Sequence, residues 1–402
     1  MDKAKALRIT RRAFIGIGAG AAIGGVAGWK WLGRATPDME LSIGSLPPDQ
    51  QAQAAGAADR WREFENLNIL RQSELDRLPW FEKDETGRLC LRKDAGIGPI
   101  VDPHAHVGWA FGLGGSVDMR SAGKVEYFYD YQKTQDLLFA QKHPSNDEAA
   151  QIARENIKLF LKTPRRNRTH TAANLLAEMD RMNCRDMFLL PIAPPRQSRH
   201  VRDTLEAAKL DSRLHAFGAV YPKPWGPDKV ADLERQVSEY HIKAVKYHPV
   251  FQLVAPDDAE MMKLFEWCQE RDILVYSHIG YTGKEPQSMR ARSEPDRFVV
   301  PLKTFPKLRV VFAHTGVRRV DQTLAVARRF DDRVWLDISG QAAPAISYIL
   351  RRYNADRVMF ASDWPFMPIS VMLARSLVAT ESCPDVRTRF FSENAKQLFG
   401  LA

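Results

Sequence analysis

Eight short runs rich in β-branched and aromatic residues punctuate the chain, at 99–106, 186–192, 215–221, 242–248, 273–278, 308–314, 333–339 and 357–363. Each ends in polar or small residues. Between most of them lie stretches with helical apolar spacing, such as Val230/Leu233/Val237/Tyr240 and Met261/Leu264/Phe265/Cys268. After the second run the repeat is roughly 25–35 residues, the length that a strand and its return helix occupy. Eight such units close on themselves, so the expected fold is α/β, a (β/α)8 barrel over residues 97–402. A doubly wound open sheet is the alternative, but no Gly-rich phosphate loop follows the first run.

One interval breaks the rhythm. About 80 residues separate the first run from the second, far more than one βα connection uses. Residues 109–168 are therefore expected to be an insertion, with a Gly-rich loop at 111–115, the aromatic run Tyr127, Phe128, Tyr129 and a helical stretch at 152–161. It leaves the carboxyl end of the first strand, so it should overlie the catalytic face, either as a lid or as decoration. Before the barrel, residues 36–96 form an extension in which Trp61, Phe64, Leu67, Leu70 and Leu75 suggest a helix.

The chemistry gathers at the strand ends. The first run closes Asp102-Pro103-His104-Ala105-His106. Side chains two apart on a strand point the same way, so His104 and His106 can hold one metal from one wall. The fifth, sixth and eighth runs close on His278, His314 and Asp363. A lone terminal histidine is ordinarily a solvated or satisfied one. Four histidines and an aspartate at the same end of a barrel offer neutral nitrogens and one anionic oxygen, a donor set suited to zinc or another divalent ion. Asp102 reads either as a hydrogen-bond partner of a ligating histidine or as a plain buried acid.

In this ordered set the chain resembles the amidohydrolase-2, or amidohydrolase-related, branch of the amidohydrolase superfamily. The matching stretches are Ile100-Val101-Asp102-Pro103-His104-Ala105-His106, Val245-Lys246-Tyr247-His248-Pro249, Val275-Tyr276-Ser277-His278-Ile279-Gly280, Phe312-Ala313-His314-Thr315-Gly316, Phe360-Ala361-Ser362-Asp363-Trp364-Pro365-Phe366 and the closing helix Asn394-Ala395-Lys396-Gln397-Leu398-Phe399-Gly400. The resemblance implies that His104, His106, His278 and Asp363 bind one divalent metal. Zinc is the first expectation, with manganese, iron and cobalt as alternatives. It implies that His314 is a catalytic histidine outside the metal's ligands, that the metal activates a water, and that Asp363 takes the water's proton.

Hydrolysis of an ester, lactone or amide carbon in a small, carboxylate-bearing substrate is the first expectation for activity. Nonoxidative decarboxylation of an aromatic or unsaturated acid is the alternative, since it uses the same ligands. An exported binding protein without catalysis is the third reading. Lys246 and His248 share a face at the end of the fourth run. With one metal they bind substrate. In binuclear members of the wider superfamily a lysine at this place is carboxylated and bridges two metals. A structural ion pair is the bland reading of Lys246. The loop at 281–297 adds Arg290 and Arg292, which read as partners of an anionic substrate or as solvated charges.

The amino-terminal segment points to export. Arg11-Arg12 precede an apolar, Gly/Ala-rich stretch at 15–28, and small residues at Gly33-Arg34-Ala35 suit cleavage. Residues 1–35 are expected to be a twin-arginine signal recognised by that export machinery, or an uncleaved membrane anchor, giving a periplasmic enzyme. This segment holds +6 of the formal net charge of +9. The small remainder argues against a nucleic-acid partner. None of the four cysteines has CxxC or CxxH spacing, so Cys184 and Cys268 are expected as buried thiols on helix stripes. A homo-oligomer is compatible with all of this, and nothing in the sequence requires one.

Overall fold

The structure, a computed structural model, describes residues 60–108, 116–128, 136–139, 165–195, 199–281 and 287–402. Residues 1–35, expected as an export signal or anchor, the Gly-rich loop 111–115, Tyr129 and the stretch 152–161 lie outside the described residues. Among the described residues no helix is long and apolar enough to cross a membrane.

The extension before the barrel differs from the single helix that its apolar spacing suggests. It forms two 3-10 turns, Arg60–Leu67 and Gln72–Arg77, separated at Asn68, whose φ of 46° ends the first. Trp61, Ile69 and Leu75 are buried against the barrel. An antiparallel hairpin follows, β1 (Phe81–Lys83) and β2 (Leu89–Leu91).

Eight parallel strands then make the ring: β3 (Ile100–Ala105), β4 (Cys184–Leu189), β5 (Leu214–Ala216), β6 (Ala244–Tyr247), β7 (Leu274–Gly280), β8 (Val310–Val317), β9 (Val334–Asp337) and β10 (Val358–Met359). Regular pairing runs β3-β4-β5 and β6 through β10 in sequence order. Two seams complete the circle. At β5/β6, Gly218 N–H donates to the Ala244 carbonyl at 2.8 Å and Lys246 N–H to the Gly218 carbonyl at 2.7 Å. A Cβ at Gly218 would press on the ends of the Ile242 and Gln236 side chains, which would have to shift to admit it. At β10/β3, His106 N–H donates to the Trp364 carbonyl at 2.6 Å and Asp363 N–H to the His104 carbonyl at 2.9 Å. The fold is the expected (β/α)8 barrel.

Alternation along the strands explains its two cores. On β7, Leu274 and Tyr276 join Val101, Phe188, Phe217 and Val311 inside the ring, where Phe399 of the helix Asn394–Phe399 also packs. Val275 and Ile279 face outward into the larger cluster beneath the helices. Two of those helices, Pro227–Tyr240 and Ala259–Glu270, carry the expected apolar stripes. Met261, Leu264, Phe265 and Cys268 are all buried, whereas only Leu233 and Gln236 are on the first. Cys184 is buried and free as expected, but it opens β4 instead of sitting on a helix. The helix Ala172–Arg181 stops before it, and Asn183 at φ 53° turns the chain into the strand.

A buried acid ties this helix to the barrel mouth. Glu178 accepts from Trp364 Nε1 at 2.8 Å, from the Ile369 amide at 2.8 Å and from the Tyr127 hydroxyl at 2.5 Å. Burial raises its pKa above the ordinary 4.5 despite these donors. Replacing it with Ala strands the buried Trp364 and Ile369 donors at about 1–3 kcal/mol each before relaxation and leaves the half-buried Tyr127 hydroxyl without its acceptor, so Glu178→Ala should lower stability by about 3–5 kcal/mol in chemical denaturation. A raised carboxyl pKa favours folding below its unfolded value, and that contribution is lost as pH rises through the folded one. The stability of the wild type relative to Glu178→Gln should therefore fall as pH climbs above 4.5.

Candidate active site

The carboxyl ends of β3, β6, β7, β8 and the segment after β10 converge on one buried cluster. His104 Nε2 lies 3.3 Å from His106 Nε2, 3.3 Å from Asp363 Oδ1 and 3.3 Å from Lys246 Nζ. His106 Nε2 is also 3.3 Å from Asp363 Oδ1. His106 Nδ1 meets the Leu190 carbonyl at 2.6 Å, and a carbonyl can only accept, so Nδ1 carries the proton and Nε2 presents its lone pair. The His278 and His314 ring centroids are 4.7 Å apart, and His248 stacks on His278 at 4.1 Å.

Backbone strain aims two of these groups. In β8, Val311 and Ala313 face the ring interior, so simple alternation would turn His314 outward. His314 instead has φ 60° and is followed by Thr315 at 43° and Gly316 at 64°. This left-handed turn brings its ring within 4.9 Å of His104. Asp363 is also left-handed, at φ 58°. Such conformations cost about 1–3 kcal/mol each and persist where the surroundings enforce them.

Burial dominates the electrostatics. It lowers the pKa of His104 to about 3, and those of His106, His248 and His278 well below the usual value, with the Lys246 charge acting in the same direction. These imidazoles are neutral donors at pH 7. Burial also lowers Lys246 to about 8 and raises Asp363 above the ordinary carboxylate value. Among the described residues, two sets of three donors have all their ligand atoms within 4.8 Å: His104–His106–Asp363 and His104–His314–Asp337. The second set cannot serve as drawn, because hydrogen-bond donors already surround the Asp337 carboxylate.

The first set fits a divalent ion, with two neutral nitrogens and an anionic oxygen. His278 lies beside both groups and belongs to neither, yet its Nε2 is buried without a hydrogen-bond partner. A buried imidazole nitrogen left so is costly unless something binds it.

Lys246 and His248 both belong to the cluster, Lys246 only 2% exposed and His248 against the Phe251 ring at 4.6 Å. The Arg290 guanidinium lies over the Tyr281 ring at 4.9 Å, with Arg319 on the same ring at 4.8 Å. Asp102 does not partner a ligating imidazole. Strand register shifts between Asp102 and Ala105, and its carboxylate accepts from the His104 amide at 3.0 Å and the Ser362 amide at 3.1 Å. Asp337 takes the expected place instead, its Oδ2 2.9 Å from His104 Nδ1. It ends β9 as the other polar residues end their strands, and that signal could have marked it.

An apolar wall flanks the polar cluster. The Phe366 ring meets His106 edge-on at 5.8 Å, and Phe128, from the insertion, stacks on Phe366 at 4.4 Å and 14°. Buried Ile192 packs with both and with Phe251.

Residues 101–401 match the family model described as amidohydrolase. No curated protein matches the chain. Among solved structures it is similar to a TIM-barrel protein from Bordetella bronchiseptica (20% identity, 56% of this chain and 82% of that one, TM-score 0.47). It is similar to a 2,6-dihydroxybenzoate decarboxylase from Rhizobium (18%, 56% and 87%, TM-score 0.47). It is likewise similar to a 5-carboxyvanillate decarboxylase from Novosphingobium aromaticivorans, solved with manganese and a nitrobenzoic acid (17%, 63% and 92%, TM-score 0.48).

Proposed function

The chain belongs to the amidohydrolase family, and from that premise we propose that it is a metal-dependent decarboxylase of an aromatic or unsaturated carboxylic acid. One observation carries this reading over hydrolysis: a dehydrated ammonium, Lys246, and an aromatic wall, Phe366 with Phe128, flank the same histidines. A flat ring lies against apolar side chains while its carboxylate meets a cation.

His104, His106, His278 and Asp363 would hold the ion. When bound, it supplies a Lewis acid that polarises a substrate oxygen. The protein's own groups do the rest. Lys246 anchors the oxygen-bearing edge of the substrate. His248, stacked on His278, limits the pocket beside it. Loss of carbon dioxide breaks a carbon–carbon bond and leaves its electron pair on the ring carbon, which then takes a proton. Asp363, whose Oδ1 lies 3.3 Å from both His104 Nε2 and His106 Nε2, is the carboxyl placed to carry that proton. The wall keeps water from that carbon.

The test is a panel of hydroxybenzoic and unsaturated acids, with esters and lactones alongside. Carbon dioxide should be released from a member of the first group, by protein holding about one divalent ion per chain and not by His278→Ala. Hydrolysis of an ester or lactone with no carbon dioxide from any acid would reverse the assignment.

A further inference from the structure

We propose that Asp337 is the positioning residue of the site, fixing the tautomers of both His104 and His314 through one fully buried carboxylate. The inference rests on the metal-site reading above and adds a residue to it.

Each oxygen of Asp337 has defined donors. Oδ2 takes the Tyr276 hydroxyl at 2.6 Å and faces His104 Nδ1 at 2.9 Å. Oδ1 takes the His314 amide at 2.8 Å, the Ser339 amide at 2.9 Å and the Ser339 hydroxyl at 2.6 Å. The residue is 0% exposed, so these donors, and no water, satisfy its two oxygens.

Proton counting follows from the geometry. A carboxylate can only accept, so His104 Nδ1 carries the proton and Nε2 is a bare lone pair. Around that lone pair stand His106 Nε2, Asp363 Oδ1 and Lys246 Nζ, each 3.3 Å away. The Ser339 hydroxyl has one hydrogen and gives it to Asp337, so toward His314 Nδ1, 2.8 Å off, it accepts. The Ser339 carbonyl, 3.2 Å from the same nitrogen, also accepts. His314 is therefore protonated at Nδ1 as well, leaving Nε2 to exchange protons with a substrate. The third effect is on the backbone: the His314 amide bond to Asp337 secures the left-handed turn that points this ring inward.

Asp337→Asn tests this, because it keeps the shape while replacing an acceptor oxygen with an NH2 donor. With the amide nitrogen toward His104, that imidazole must move its proton to Nε2, where it blocks a ligand position. Manganese and zinc titrations of the full chain should give affinity roughly 10–100-fold weaker than wild type, with the thermal transition still cooperative. Tyr276→Phe removes one donor and leaves the acceptor, so its affinity should stay within about threefold of wild type by the same reasoning. On the wild-type protein, ring ¹⁵N shifts should show His104 protonated at Nδ1, the signal being assigned by its loss in His104→Gln.

That spectrum holds whether or not the Asn variant folds. Wild-type affinity in Asp337→Asn, or a proton on His104 Nε2 in the wild type, would overturn the proposal. Failure of the wild type itself to bind either metal would instead overturn the metal-site reading.

Discussion

Asp363→Asn, assayed with saturating metal, should give a folded protein whose turnover is lower by about 10³-fold, the range expected when a positioned proton carrier is removed. Asparagine is the informative replacement because Asp363 sits at φ 58°. Asn tolerates the left-handed region almost as readily as Gly, whereas a β-carbon without a local polar group does not. The thermal midpoint should therefore stay close to that of the wild type, and the loss should appear in kcat. Asp363→Ala should lose similar activity and also about 1 kcal/mol of stability from backbone strain. The pair separates chemistry from folding. Turnover of the Asn variant within tenfold of wild type would remove Asp363 from the proton-transfer role.

The second large effect has opposite signs on activity and stability. Lys246 is an ammonium at 2% exposure, and burial lowers its pKa from 10.5 to about 8. A base with a lowered folded pKa weighs against folding while it is charged, and the penalty is relieved as pH rises from about 8 toward 10.5. Methionine fills a similar volume without a charge. Lys246→Met should thus be as stable as the wild type or more so, with the difference largest below pH 8 and shrinking above it. Its kcat/KM should fall by roughly 10²–10³-fold, since a desolvated cation facing a carboxylate contributes about 3–4 kcal/mol. Thermal melts at pH 6.5 and 9.5, with steady-state kinetics, measure both. An activity loss that merely tracks a falling melting temperature would mean that Lys246 is structural.

The contrast between Asp102 and Asp337 shows how far the sequence reaches. All eight strands could be placed from apolar runs and their polar ends, because a barrel strand packs against the ring on one side and helices on the other. The same ends located His104, His106, His278, His314 and Asp363, since the catalytic face is a property of strand direction. What could not be read was which residue meets which across the ring. Two-residue periodicity put Asp102 on the same face as His104, but its carboxylate is taken by the backbone amides of His104 and Ser362. The partner that serves His104 comes from β9, more than two hundred residues on.

His314 teaches the same lesson locally, since its inward aim depends on a positive φ that no apolar pattern records. Cys184 was misplaced because a helix end and a strand start lie two residues apart there, too close for either period to register.

The β10/β3 seam, where backbone bonds at His104, His106, Asp363 and Trp364 join the first barrel strand to the last, would make the proposed metal capture a late event in the life of the chain. No ribosome-bound fragment that lacks the eighth strand can assemble the donor set, however well its earlier strands have paired. Closing so long a loop is slow, and its entropy is recovered only when the ends meet. An ion held by the proposed ligands would act as a clasp: it would bind the closed ring and not the open one, and so would raise the melting temperature with its concentration.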